Sequence, residues 1–288
     1  MIITKIMGGL GNQMFEYAIA RSMAQRNNDI FKLDISYYSK PKQELRTYEL
    51  NLFNIDETIA TEQEYNKLRR RKGFLFNITK AVNALMNRQS FYRKEKEDAL
   101  FDEEVYNLKG NIYLDGYWQN EKYFKEIREQ LIEDFTPKSD ISEKAQGYLK
   151  DIENTNSVSL HIRRGDYISD LTANNFHGVT NIEYYNRAVD YVNDQVSEPV
   201  YYIFSDDIAW CKNNFDFLEN KIFVDDTSSA IDDLELMKRC KHNIIANSSF
   251  SWWAAWLNEN SNKIVITPKV WFSAKIDLHL APEEWIRL

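Results

Sequence analysis

The sequence is poor in cysteine: Cys211 and Cys240 are the two present in 288 residues. Two cysteines cannot frame a disulfide scaffold in a chain of this length, and two free thiols fit a reducing, cytoplasmic setting. Histidine is also scarce. Its four copies lie far apart, and no Cys or His pair has metal-ligand spacing, which argues against structural zinc. No Asp-X-Asp triplet occurs, so one common way of holding a metal against a diphosphate is missing. Long apolar runs are missing too. The longest, Trp252 to Leu257, falls far short of the roughly 20 residues that a membrane-spanning helix needs. The stretch from Met1 to Gln13 lacks the charged lead, apolar segment and small-residue cleavage site of a signal peptide. Cations are in deficit. Lys and Arg number 36 against 44 Asp and Glu, a formal net charge of −8, which excludes a sequence-independent grip on nucleic acid. A local basic pocket remains compatible with that balance.

What is present is globular: 43% hydrophobic and 28% charged residues suit a packed core and not a disordered chain. Aromatic residues reach 14%, more than an average core requires, and ring-rich surfaces are one way to hold sugars or bases. At roughly 150 residues per domain, the length allows one large domain or two ordinary ones.

The first strand is expected over Ile2 to Ile6, followed by glycines 8, 9 and 11 and a helix on which Met14, Phe15, Ala18, Ile19 and Met23 recur at helical spacing. Ile30 to Leu33 reads as a second strand. Thr61 to Arg93 reads as helical and locally very basic, with Arg69, Arg70, Arg71 and Lys72 in a row. Asn111 to Asp115 reads as a strand, and a helix from about Glu121 stops before Pro137. The polar segment from about 136 to 156 places a domain boundary near residue 145, giving domains 1–145 and 146–288. The second half alternates strands and helices, with strands at Val158–Ile162, Pro199–Phe204, Lys221–Val224, Asn243–Ala246 and Lys263–Thr267. Continuous Val/Ile runs in such an α/β rhythm indicate a parallel sheet covered on both faces. Sheets of that kind bind ligands at the carboxyl ends of their strands.

Those ends carry the unusual residues. The first bears His161, Arg163, Arg164 and Asp166. Adjacent guanidinium groups after a buried strand suit phosphate oxygens, with a surface ion pair as the plainer reading. The second bears Ser205, Asp206 and Asp207, where carboxylates can accept hydrogen bonds from a base edge or ribose, and the plainer reading is capping of the next helix by Ser205 or Asp206. The fourth bears Asn247, Ser248, Ser249, Phe250 and Ser251 directly before a helix, where hydroxyls and unpaired N–H groups make an anion site. Together they fit a nucleoside diphosphate better than a dinucleotide, because Met14 leaves G-x-G-x-x-G incomplete. Trp252, Trp253 and Trp256 have core spacing.

These motifs, in this order, resemble the alpha-1,2-fucosyltransferase family of glycosyltransferases over nearly the whole chain. The resemblance rests on Gly9 to Phe15, on Asp115 to Gln119 with Tyr123 and Phe124, on His161 to Tyr167, on Phe204 to Asp207, and on Asn247 to Trp253. Glu16 departs from the pattern, where many relatives carry Gln. The resemblance implies a GT-B-like α/β fold of two Rossmann-type domains facing across a cleft. It implies GDP-L-fucose as donor substrate with no other cofactor and no required metal. It implies transfer to the 2-hydroxyl of a terminal galactose in an oligosaccharide, with inversion.

By motif position Arg163 would meet the donor β-phosphate, Arg164 would assist or hold the loop, and His161 would touch the donor. Asp206 would pair with the guanine edge, with Asp207 nearby, and Ser248, Ser249, Phe250 and Ser251 would wrap the diphosphate. Gly9, Gly11, Asn12 and Gln13 would form a loop at the cleft. Asp115, Tyr117, Trp118 and Gln119 would offer an acceptor surface, with core packing the alternative for Trp118. Candidates for the base are Glu16, Asp115, His161 and Asp166, or the leaving phosphate itself. The stretch from Arg69 to Lys72 is expected either to touch an anionic membrane surface or to be a solvated helix end. Other readings are the same fold with a different donor or acceptor, and a non-catalytic nucleotide- or carbohydrate-binding protein.

Overall fold

The computed structural model describes residues 1–39, 46–69, 90–96, 99–164, 180–272, 275–276 and 280–288. The chain divides into two compact units, Met1–Lys138 and Ser139–Leu288. The division falls seven residues ahead of the expected boundary at 145. The reason is the helix Glu143–Asn154, which a cut at 145 would sever. Its N-cap Ser142 gives both its N–H (3.0 Å) and its hydroxyl (2.8 Å) to Asp232 of the second unit.

The first unit is built on four parallel strands, β1 (Ile2–Lys5), β2 (Phe31–Asp34), β3 (Ser90–Lys94) and β4 (Asn111–Asp115), in the order β2-β1-β4-β3. The helix Leu10–Asn27 joins β1 to β2 and is buried on nearly every side, so its apolar residues do not form a single stripe. It ends at Asn28, whose φ of 49° is left-handed and whose N–H returns to the carbonyls of Ala24 and Gln25. Tyr17 on this helix packs against the rings of Phe31 and Phe135. The helical reading of Thr61 to Arg93 holds for Glu62–Arg69 and fails at its end, where Ser90–Lys94 is a strand. Pairing with β4 overrides the local pattern there. Arg69 pairs within its own unit. Its guanidinium meets the buried Asp34 at 3.3 Å and lies near the Tyr65 and Tyr113 rings. Arg70, Arg71 and Lys72 lie outside the described residues.

The second unit holds six parallel strands: β5 (Asn156–Ile162), β6 (Pro199–Ser205), β7 (Lys221–Phe223), β8 (His242–Ile244), β9 (Val265–Thr267) and β12 (Ile286–Arg287). Their order is β12-β9-β8-β5-β6-β7. Counted from β5, that is the Rossmann order 3-2-1-4-5-6, with its reversal between β5 and β8. β10 (Val270–Phe272) and β11 (Lys275–Ile276) pair antiparallel beside it. These two and β12 were not expected, since two or three residues carry no periodicity to read.

The central strand β5 is sided. Val158, Leu160 and Ile162 join the apolar cluster with Tyr185, Ala188 and Phe215. Ser157, Ser159 and His161 alternate with them and are equally buried. Ser159 accepts from Asn243 at 2.8 Å, and Asn243 accepts from Asn258 at 2.8 Å. Trp252, Trp253 and Trp256 are buried among one another and Trp285, so this part of the aromatic surplus is core. Among the described residues no helix is long and apolar enough to cross a membrane.

Candidate active site

In the second unit, the strand order places the ends of β8, β5 and β6 side by side, so all three motifs share one edge of the sheet. The reversal between β5 and β8 is where a doubly wound sheet opens for a ligand. Arg163 and Arg164 leave β5 there. Arg163 forms an ion pair with Asp206 at 3.1 Å, the two side chains 25% and 23% exposed. Arg164 turns inward. Its guanidinium carbon lies 3.7 Å from the centre of the Trp210 ring, and its Nε is 3.7 Å from an Asp207 oxygen. A stack at that distance braces the loop and leaves Arg163 as the more exposed cation.

The β6 end divides its labour. Asp206 gives one oxygen to Arg163 and the other to the Arg164 N–H at 2.9 Å, and remains about a quarter exposed. Asp207 caps the helix Ile208–Asn214 by accepting from Trp210 N–H, and Ser205 accepts from Asp207 N–H. Capping therefore falls to Asp207, not to Ser205 or Asp206.

At the β8 end, the helix Ser249–Leu257 begins without a side-chain cap, since Ser248 makes no such bond. The first-turn N–H groups and the helix dipole thus point along the strand-end edge. Ser249 and Phe250 are half-buried. Ser251 is fully buried and gives its hydroxyl to the Ser248 carbonyl at 3.3 Å, which removes it from an outer surface. Asn247 is buried, accepting from Thr180 at 2.9 Å.

His161 stands beside this edge, with its ring 6.0 Å from that of Phe250. Burial pushes its imidazole down to about 3, and Arg163 adds to the same effect. It is a neutral ring at ordinary pH. Its Nδ1 is buried with no hydrogen-bond partner. Asp166 lies outside the described residues.

The first unit brings its own two motifs together at the ends of β1 and β4. Gly8 takes φ +74°, a left-handed turn that glycine adopts without strain. Asn12 and Gln13, expected in a loop, lie in the first turn of the helix Leu10–Asn27, and Gln119 donates to Asn12 at 2.8 Å. Gln13 is fully buried. It donates to the Gly8 and Thr47 carbonyls and accepts from Glu49 N–H, so its amide serves as an internal bracket. Gly9 is approached by Arg46, whose nearest nitrogen would stand 3.6 Å from an added Cβ. Gly11 sits buried at the start of the helix.

Asp115 receives Lys5 at 2.9 Å and the Tyr92 hydroxyl. Burial raises its pKa, but those hydrogen bonds outweigh burial and hold the carboxyl below its ordinary range. Trp118 is 1% exposed and packs edge-on against Tyr123, so it is core and not a sugar platform. Tyr117 and Gln119 are half-buried. Glu16 is fully buried beneath the glycine turn, one oxygen accepting from Met7 N–H at 2.8 Å and the other unpartnered. Burial raises its pKa well above the usual carboxylate range, and Glu95 and Asp115 nearby act in the same direction. Among the described base candidates none is a solvent-facing carboxylate of ordinary basicity. Two contributors went unseen in the sequence. Trp210 stacks on Arg164, and Glu95 accepts the N–H groups of Tyr117 and Trp118. Neither belongs to a motif.

Comparison with known proteins places this geometry. The NodZ alpha-1,6-fucosyltransferase, whose crystal was soaked with GDP-fucose, superimposes with a TM-score of 0.51 at 14% identity, covering 89% of this chain and 91% of that one. The likeness shows the fold, and the α/β, GT-B-like expectation holds. The chain belongs to glycosyl transferase family 11, whose model matches residues 1–287. It is 35% identical to an alpha-1,2-colitosyltransferase of Escherichia coli over 100% of this chain and 99% of the relative. It is also 35% identical to the O-antigen biosynthesis glycosyltransferase WbnK of Escherichia coli, over 98% and 99%. A galactoside alpha-(1,2)-fucosyltransferase 2 of Hylobates lar is 26% identical over 87% of this chain and 67% of its own length.

Proposed function

We propose that the protein transfers L-fucose from GDP-L-fucose to the 2-hydroxyl of a terminal galactose in a glycan, with inversion and without a metal. The observation that carries this reading is the switch-point edge of the second unit. There Arg163 follows β5, and the helix Ser249–Leu257, which follows the neighbouring β8, begins uncapped. Side-chain cation and helix N-terminus together supply the charge that a diphosphate leaving group requires. The acceptor oxygen bonds to the anomeric carbon while the bond from that carbon to the phosphate oxygen breaks. The electron pair leaves on the β-phosphate, and Arg163 stabilises it. The acceptor proton passes to a weak base or to the departing phosphate. Asp206 orients the Arg163 guanidinium, Arg164 on Trp210 braces the loop, and neutral His161 adds no second positive charge beside it.

A second reading keeps the same site and changes the donor sugar. It is favoured by the 35% identity to a colitosyltransferase along the whole chain. Colitose is fucose without its 3-hydroxyl, so one site architecture suits both. Incubation of the purified protein with lactose, a chelator, and GDP-L-fucose or GDP-colitose in parallel separates them. Trisaccharide from GDP-L-fucose supports the first reading. Product from GDP-colitose alone assigns the second. Product from neither, or a strict need for added metal, contradicts the proposal.

A further inference from the structure

Glu95 stands outside every sequence motif, yet it organises two of them. It follows β3 directly, and its N–H donates to the Asp115 carbonyl at 3.0 Å, extending the β3–β4 pairing by one step. Its carboxylate then reaches across to the adjoining turn. One oxygen accepts the Tyr117 N–H at 2.6 Å, and the other accepts the Trp118 N–H at 3.1 Å. A carboxylate spanning two consecutive backbone donors fixes both the place and the direction of that turn.

Two further features depend on the clasp. Trp118 is held at φ 56°, in the left-handed region that a bulky residue enters only under constraint from its surroundings. A Cβ at Gly116 would stand 2.3 Å from the Glu95 Cβ, so only glycine leaves room for the carboxylate. The turn so fixed carries Gln119, whose amide donates to Asn12 in the first turn of the helix Leu10–Asn27, just after the glycine turn. Tyr117, Gln119 and Asn12 are all half-buried. A partly exposed ring and two partly exposed amides are side chains that suit sugar hydroxyls.

We propose that Glu95 is a positioning residue, whose carboxylate holds the Tyr117–Gln119 turn against the glycine turn and so shapes the face on which the galactose-terminated acceptor rests. The acceptor's part in this rests on the transfer reading above. A merely structural carboxylate would lower stability and all kinetic parameters together. A positioning carboxylate separates them.

The test compares the full-length protein with Glu95→Gln and Glu95→Asp. Gln is isosteric but sets an amide against one backbone donor, and Asp keeps the charge with a shorter reach. For Glu95→Gln the acceptor KM is expected to rise at least about ten-fold, with kcat and donor KM within about two-fold. Amide exchange at Tyr117 and Trp118 should quicken about ten-fold or more, and Glu95→Asp should restore part of both. Gly116→Ala, which presses on the clasp from the other side, should raise the acceptor KM similarly and serves if a Glu95 variant fails to fold. An unchanged acceptor KM, or a uniform fall in every parameter with a lowered melting temperature, overturns the proposal. If the parent protein transfers neither sugar, the transfer reading fails. The exchange measurement then still decides the clasp: faster exchange in Glu95→Gln supports it and unchanged protection overturns it.

Discussion

The two strand-end edges of this protein are made from similar residue types and are finished differently. In the first unit the charges close on one another: Lys5 on Asp115, Arg69 on Asp34, and Glu95 on the N–H groups of Tyr117 and Trp118. In the second unit Arg163 and Asp206 pair about a quarter exposed at the ends of β5 and β6, and the helix after the neighbouring β8 begins uncapped. One edge spends its polar groups on holding a shape. On the proposed reading, the other offers an ion-paired cation and a helix N-terminus to an anion.

The largest effect that would break this contrast belongs to Arg163. Arg163→Ala is expected to lower kcat roughly 100- to 1000-fold, the scale seen when one preorganised donor to a developing oxyanion is lost. Its partly exposed ion pair contributes at most about 1 kcal/mol, so the melting temperature should hardly move. Steady-state kinetics beside a thermal melt checks both. An activity that survives would return the cation to a structural role like that of Arg69.

Next comes Trp118. As a core residue it should cost about 3–5 kcal/mol of stability when replaced by Ala, read by denaturant unfolding. If Trp118→Ala instead weakened acceptor binding at full stability, the first unit's edge would be more open to ligand than its burial indicates.

Legibility from the sequence follows the same division. The second unit's strands were readable from their Val/Ile runs, and its three motifs fell at strand ends as expected. The Rossmann order that puts those ends together depends on which strand pairs with which, and no local signal carries that. The role of Asp207 as cap, and of Asp206 as partner of Arg163, turns on one residue of register. Trp118 was open between sugar platform and core because its neighbours Tyr117 and Gln119 are half-buried while it is not. Glu95 was invisible, since a carboxylate is recognised as a clasp only when the chain it clasps is known.

Two pH effects sharpen the comparison on a smaller scale, and they run in opposite directions. His161 has a native pKa of about 3, below its unfolded value, so the unfolded chain binds the proton first. Its contribution is intact above the ordinary histidine range and is lost as pH falls toward 3. The ring resonances followed by NMR should show a neutral imidazole throughout the mildly acidic range. Glu16 has a raised native pKa, so the folded form keeps a proton that the unfolded chain has released. Stability from this group is fullest at low pH and falls as pH rises from the ordinary glutamate range toward the native value. Glu16→Gln should remove that fall and raise the melting temperature near neutral pH, measured as melting curves across pH. A lowered melting temperature would show that the charge at Glu16 is needed.

The central claim is that the nucleotide diphosphate is held at the second unit's edge and not at the first's. Hydrogen exchange of the full-length protein with and without GDP tests it most directly. Slowed exchange is expected in peptides covering 161–164, 205–207 and 247–251, with 8–13 and 115–120 unchanged. Protection confined to 8–13 and 115–120 would contradict it.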